Sequence, residues 1–327
     1  MIEELLKDIF VIKVPLPNNP LKNLNSYFIK GTERNLLIDT GFNIKECYDA
    51  IVSGLDKLNA DMKNTDIFLT HLHTDHIGLS TSIASDRTRI FIGETDRKIL
   101  VNFFLPEYWE QIDEKYFSLG LSREELVENE SINPAHAYLP SKEGGYIGVK
   151  DGFVFDLGYY KFKCLETPGH TPGHMCLYSE EQEILFSGDH IIFDITPNII
   201  SWDYDQDYLG LYMDSLTKIK ELDIKFTFSA HRKVMGDCHG RIDALICHHE
   251  DRIAEVEQIL KKGDGGTPYQ IASQMTWSIR AKNWAEFPVT QKWFAVGEAL
   301  AHLEHLRCKG LVNCELINGR FIYSRNF

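Results

Sequence analysis

The chain runs to 327 residues, too long for one minimal domain and suited to a large domain joined to a small one. Hydrophobic residues make up 43% and charged residues 25%, an ordinary globular composition that allows a core without disulfide staples. The formal net charge of −14, from 48 acidic and 34 basic residues, repels phosphate backbones at long range and argues against a dedicated nucleic-acid binder.

In chain order, short apolar runs at 10–14, 26–30 and 35–39 read as strands, the last closed by Gly41. An amphipathic helix is predicted over 44–58, with Cys47, Ile51, Leu55 and Leu58 on one face. Ile67-Phe68-Leu69 is a strand that leads into Thr70-His71-Leu72-His73-Thr74-Asp75-His76, and 89–92 is a further short strand. Strand alternating with helix implies α/β layering. From about 94 to 142 strand signals give way to helical, acidic and aromatic sequence carrying Phe103, Phe104, Tyr108, Trp109, Tyr116 and Phe117. Ser122 and Glu125 have capping-box spacing there. This helical insertion is expected to pack through its aromatics, with a lid as the alternative reading.

Strands resume at 153–155, 159–165, 175–178 and 184–186, followed by a helix over 206–222 and a strand at 226–228 that runs into Ser229-Ala230-His231. A long amphipathic helix over 241–262 stops at Gly263-Asp264-Gly265-Gly266, a linker signal. The tail reads as helices over 269–276 and 290–309 and a hairpin over 316–323 with an Asn318-Gly319 turn, the outline of a winged helix. The expected domains are therefore 1–262, interrupted at about 94–142, and 263–327. Seven scattered cysteines without CxxC spacing point to reduced thiols. With no basic-then-apolar leader and no long apolar stretch, the chain is expected to be soluble and cytoplasmic, without a membrane span.

The stretch from His71 to His76 concentrates three imidazoles and a carboxylate at a strand end. Strand alternation points His71 and His73 the same way while Leu72 faces the core, and Asp75 and His76 follow where the chain turns. Imidazole and carboxylate are the ligands of zinc and similar metals. Three later sites put ligand-capable residues just after strands: Thr167-Pro168-Gly169-His170-Thr171-Pro172-Gly173-His174, Gly188-Asp189-His190 and Ala230-His231. Each is weak alone; four in this order are specific.

These motifs resemble the metallo-β-lactamase-fold hydrolase superfamily, whose signature is H-x-H-x-D-H followed by His, Asp and His at strand ends. The resemblance covers about residues 10–262. The Thr-Pro-Gly-His doublet resembles the thioester-hydrolase (glyoxalase II-like) branch, and the tail resembles a lactamase-like branch with a C-terminal winged-helix-like domain. The resemblance implies a four-layer αββα sandwich with a helical insertion and a small winged-helix-like α+β domain. It puts His71, His73 and His170 on a first metal, Asp75, His76 and His231 on a second, and Asp189 between them. His174 would be supporting, His190 is left without a role, and Asp39 would be a buried carboxylate beneath the site. Two divalent ions so placed generate a metal-bridging hydroxide near neutral pH, which Asp75 would orient. Zinc is preferred, with iron or manganese as alternatives.

The expected activity is hydrolysis of a small ester, thioester or lactone. A phosphodiesterase or endoribonuclease of the same fold is the alternative, motivated by the tail and opposed by the net charge and by Glu286, Glu298, Glu304 and Glu315 in it. A degenerate scaffold is disfavoured by the full ligand set. Arg232 and Lys233 are weighed as an anion contact against a solvated pair. His248 and His249, adjacent on a helix, are read as structural or surface residues. The partner is a small-molecule substrate, with a homo-oligomer left open.

Overall fold

Successive residues of a strand face opposite sides of a sheet, and both sides are covered here: Val11 joins the core between the sheets, while Ile12, equally buried, lies on the other side against Gly54. The computed structural model describes residues 1–204, 206–278 and 281–326. It divides into two compact units, one of Met1–Phe104, Tyr138–Pro197 and Ser215–Ile242, the other of Leu105–Ala137, Asn198–Asp214 and Asp243–Phe327.

The first unit holds two sheets. Strands β1 (Ile2–Leu6), β2 (Ile9–Pro15), β3 (Asn23–Ile29), β4 (Asn35–Ile38), β5 (Thr65–Leu69), β6 (Ile90–Gly93) and β7 (Tyr146–Val149) lie in sequential order. They are antiparallel from β1 to β4 and parallel from β4 to β7. The second sheet has the order β12-β11-β10-β9-β8, built from β8 (Val154–Asp156), β9 (Lys161–Glu166), β10 (Met175–Ser179), β11 (Ile184–Gly188) and β12 (Phe226–Ser229). Its pairs are antiparallel except β11–β12. β1 and β7 lie outside the strands expected from sequence. β1 alternates poorly around Glu3-Glu4, and Gly148 interrupts β7, which dilutes a strand signal.

One apolar core joins the inner faces, with Val11, Tyr27, Ile38 and Phe68 from the first sheet against Phe155, Phe162, Phe186 and Phe228 from the second. Aromatic pairs cross it, Tyr27–Phe186 at 5.0 Å and Phe68–Phe155 at 5.4 Å. Outside the first sheet lies α1 (Lys45–Lys57), close to the expected 44–58, with Cys47, Ile51 and Leu55 buried. Gly54 permits its approach to β2, since a Cβ there would sit 2.6 Å from Ile12 Cγ2. Short helices α2 (Thr74–Ile77) and α3 (Ser80–Ile83) follow β5, and α4 (Glu94–Leu100) follows β6. Because β4, β5, β9, β11 and β12 all end at one edge of the sandwich, so do the segments carrying Asp39, His71–His76, His170, Asp189 and His231.

The second unit contains α5 (Pro106–Ser118), α6 (Arg123–Ile132) and α7 (Pro134–Ala137) from the expected insertion, with the predicted capping box of Ser122 and Glu125 formed. α8 (Tyr208–Lys220) and α9 (Cys238–Lys262) are shared between the two units. The tail supplies α10 (Pro268–Ala272), α11 (Val289–Cys308) and the hairpin β13 (Val312–Ile317)–β14 (Arg320–Arg325). Asn318 and Gly319 turn that hairpin with φ of 50° and 76°. Tyr116, Leu121 and Leu126 of the insertion share one core with Trp293, Leu300 and Tyr323 of the tail. Tyr269 and Lys292 both donate to the Glu125 carboxylate, at 2.9 and 2.8 Å. The division thus differs from a single boundary at 262: residues 105–137 bury their apolar face against the tail and belong to the second unit. Among the described residues no helix is long and apolar enough to cross a membrane.

Within this unit His302 is fully buried, donates through Nδ1 to the Glu298 carbonyl at 2.8 Å and meets His249 at 3.4 Å. Burial pushes His302 from 6.5 down to about 3, with Arg252, His248 and His305 acting the same way against the Glu298 carbonyl. Between those two values the unfolded chain binds a proton that the folded chain refuses, so stability is complete above the unfolded value and falls as the pH drops through the window. His302→Gln should lessen the loss of unfolding free energy between about pH 7.5 and about pH 5, by up to about 1.4 kcal/mol per pH unit. Urea melts of both proteins at the two pH values check this.

Candidate metal centre

Each strand end delivers its side chain by a local device. β5 stops at Leu69, and α2 then turns Asp75 and His76 back toward His71. Leu72 is buried, as the alternation predicted, while His71 Nε2 and His73 Nδ1 come to 3.0 Å. The loop after β9 brings His170 Nε2 to 3.0 Å from the same His73 Nδ1. β11 ends in Gly188 with φ +51°, where a Cβ would lie 2.7 Å from His174 Nε2, so only glycine lets Asp189 enter. β12 ends at Ser229, and Asn25 holds the next segment by donating from its backbone N–H to the Ala230 carbonyl at 2.6 Å.

The result is two groups of donors that share one carboxylate. His71, His73 and His170 form the first, and Asp75, His76 and His231 the second, each with ligand atoms within 4.8 Å of one another. In the second, His231 Nε2 lies 3.2 Å from His76 Nε2 and 3.3 Å from Asp75 Oδ2. Asp189 spans both: Oδ2 is 3.6 Å from His170 Nε2, and Oδ1 is 3.2 Å from His231 Nε2 and 3.6 Å from His76 Nε2. All seven residues expected as ligands therefore converge on one place in the first unit.

The surroundings decide which ring nitrogens face inward. His231 Nδ1 donates to the Asn23 carbonyl at 2.9 Å, and His76 Nδ1 donates to Asp39 Oδ2 at 2.8 Å. Thr70 gives its hydroxyl proton to Asp39 Oδ2 at 2.9 Å and so accepts from His71 Nδ1 at 3.0 Å. Each of these rings thereby turns its Nε2 toward the site. His174 is not among the donors. It accepts the Asp189 backbone N–H on Nε2 at 3.2 Å and donates from Nδ1 to Thr167 at 2.8 Å, which fixes the shared carboxylate.

The electrostatics suit cations. Burial pushes His73 down to about 3, with His170 adding to the effect, and His71 well below its usual value. Their lone pairs stay open and face one another. Burial opposes the charge on Asp75, yet His76 and His231 hold its carboxyl at about 2. Burial works against His231 too, but Asp189 and Asp75 raise it to about 10. Asp189 Oδ1 is buried without a hydrogen-bond donor. Lone pairs converging at 3.0 Å and an orphaned carboxylate oxygen are what a bound cation satisfies, so the donor set fits divalent metal ions with nitrogen and oxygen ligands.

The sequence pattern of the Metallo-beta-lactamase superfamily matches residues 20–231. The chain belongs to the metallo-beta-lactamase superfamily. It resembles a probable metallo-hydrolase, YqjP, of Bacillus subtilis, 24% identical over 312 residues that cover 93% of each chain. A beta-lactamase-like protein 2 homolog of Caenorhabditis elegans is 27% identical over 81% of this chain and 77% of its own. Among solved structures, the metallo-beta-lactamase family protein TTHA1429 of Thermus thermophilus superposes with a TM-score of 0.81 and 25% identity, covering 99% of this chain and all of its own. A beta-lactamase domain protein from Burkholderia ambifaria shares the fold at the same TM-score, with 21% identity over 99% and 93% of the chains. The chain is a metal-dependent hydrolase of this superfamily, with His/Asp groups able to bind metal.

In this superfamily member one carboxylate that sequence reasoning missed ties the segment after β5 to the segment after β9. Asp96, fully buried in the first turn of α4, accepts from Leu72 N at 3.0 Å, Thr171 Oγ1 at 2.7 Å and Gly173 N at 2.6 Å. Burial pushes its carboxyl up to about 7, against those three donors. An acidic residue in a helix's first turn reads as a complement to the helix dipole, which hid this role. Arg232, weighed as an anion contact, instead donates to the Pro20 carbonyl at 2.5 Å. His249, read as structural or surface, is buried, and His248 is partly buried.

Asp96→Ala would strand two buried backbone N–H groups, at about 1–3 kcal/mol each, and loosen both ligand loops. It should lower metal affinity by about 10–100-fold, as supporting residues do. Competition titration against a chromogenic chelator measures the affinity, and thermal melts measure the stability.

Proposed function

We propose that the chain is a dinuclear hydrolase of small esters, thioesters or lactones, with His71, His73 and His170 holding one zinc ion, Asp75, His76 and His231 the other, and Asp189 bridging. The observation that carries this reading is the division of the Asp189 carboxylate, one oxygen toward His170 and the other toward His76 and His231. Zinc follows from a donor set rich in imidazole and free of thiolate. Two such ions would supply Lewis acidity and acidify a shared water toward neutral pH.

The protein's own groups define the rest. His71, His76 and His231 are fully buried, whereas His73, Asp75, His170 and Asp189 keep some exposure, so a substrate carbonyl approaches from the side of these four. Asp75 stays ionised there and accepts a hydrogen bond from the attacking water, orienting its lone pair toward the carbonyl. Asp39, Thr70 and His174 hold the imidazoles and the bridging carboxylate still, so little reorganisation accompanies attack. The net charge of −14 favours small acyl substrates over polyanionic nucleic acid.

Zinc-loaded protein should contain about two ions per chain and hydrolyse members of a panel of acyl thioesters, lactones and aryl esters. His73→Ala should lower kcat/KM by more than about a hundredfold, beyond what supporting residues alone contribute. Less than one ion per chain by elemental analysis, or full activity after chelation, would overturn the dinuclear reading. Cleavage of bis(p-nitrophenyl) phosphate and RNA without any acyl hydrolysis would replace the substrate class with phosphodiesters.

A further inference from the structure

We propose that the second unit carries an acid-released latch: His249 of α9 and His302 of α11 fasten the two helices through a chain of hydrogen bonds that only neutral rings can make, and protonation opens it. The chain runs one way. His302 Nδ1 donates to the Glu298 carbonyl at 2.8 Å, so its Nε2 keeps a lone pair, which accepts from His249 Nδ1 at 3.4 Å. His249 Nε2 is then bare, and it is buried with no hydrogen-bond partner among the described residues. Both side chains are fully enclosed.

Neither ring has a place for a second proton. On His302 Nε2 it would confront the His249 Nδ1–H. The conflict is relieved only by moving the His249 proton to Nε2, where no acceptor stands, and a buried N–H without a partner destabilises the packed state. Nor do the surrounding anions meet the added charge. The Glu298 carboxylate accepts from Asn198 at 2.7 Å and faces Arg252 at 3.7 Å. Glu255 is held by Arg252 and by the Thr276 N–H, and Asp207, just before α8, accepts from His305 Nδ1 at 2.8 Å. On its remaining sides His249 meets the His248 ring edge-on at 5.1 Å and the Tyr212 ring of α8 at 5.4 Å.

The electrostatics run the same way. Burial lowers both rings most, Arg252, His248 and His305 lower them further, and the Glu298 carbonyl opposes on His302. A ring whose folded value lies below its unfolded one stabilises fully above the unfolded value and loses that stability as the pH falls through it. The helices joined by the latch also share the apolar core of this unit, through Val256 and Leu260 of α9 and Leu300, Leu303 and Leu306 of α11. Opening the latch therefore loosens both helices as one cooperative element.

Hydrogen–deuterium exchange of the full chain, read by mass spectrometry and corrected for the intrinsic pH dependence of amide exchange, measures the opening. From about pH 7.5 to about pH 5.5, each histidine released to its ordinary pKa of about 6.5 favours the open state about tenfold. Protection within α9 and α11 should therefore fall about a hundredfold. His249→Gln and His302→Gln should each leave about a tenfold fall, and the double variant almost none. Thermal melts at neutral pH verify that the variants fold. Imidazole nitrogen shifts of the unaltered chain test the latch without a substitution: both rings should stay neutral in the folded protein at about pH 5.5. The proposal is overturned if protection in the two helices does not depend on pH, if the double variant loses as much as the unaltered chain, or if either ring titrates at its ordinary pKa while folded.

Discussion

Asp39 is the interaction on which the site depends. β4 ends there in a left-handed turn, φ 59°, a conformation that aspartate tolerates better than most residues. The turn tucks the carboxylate beneath the end of β5, where it accepts from Thr70 N at 2.8 Å, from the Thr70 hydroxyl and from His76. One fully buried charge thereby sets the orientation of an imidazole in each donor group, His76 directly and His71 through Thr70. Removing it would free two rings at once, because neither has another support of comparable strength among its hydrogen bonds. Its burial is tolerable because three donors surround it.

The sandwich supplies what a single sheet could not. The first sheet provides His71, His73, Asp75 and His76, and the second provides His170, Asp189 and His231. Either set alone leaves imidazole lone pairs and carboxylate oxygens aimed at empty space. The aromatic core between the sheets, with Tyr27 against Phe186 and Phe68 against Phe155, fixes their separation and hence the distance between the half-sites. Asn23 and Asn25, at the start of β3, then fasten the His231 segment across the gap. Asp96 does the same for the His170 loop, joining Leu72 to Thr171 and Gly173. The donor groups able to bind metal lie where these supports converge, and the proposed dinuclear chemistry rests on that convergence more than on any one residue.

The second unit follows a different logic, of apolar burial around Tyr116, Trp293 and Leu300 with a few enclosed polar groups. Burial holds the His302 imidazole neutral there. That burial makes the unit sensitive to acid.

The amino-acid sequence by itself singled out the seven residues that come together in the first unit. Strand period and turn residues place His71, His73, Asp75, His76, His170, Asp189 and His231 after strands, and this information is local, carried within a few residues of each side chain. Hairpin, capping box and most strands were legible for the same reason, Asn318-Gly319 and Ser122-Glu125 being complete signals in themselves. Only the tertiary structure decided what is non-local. It put one Asp189 oxygen toward each donor group, made Asp96 a brace instead of a helix-end charge, and gave residues 105–137 to the unit that contains the tail. Those outcomes depend on which distant surfaces bury each other, and burial is a property of the packed chain that no short stretch of sequence contains.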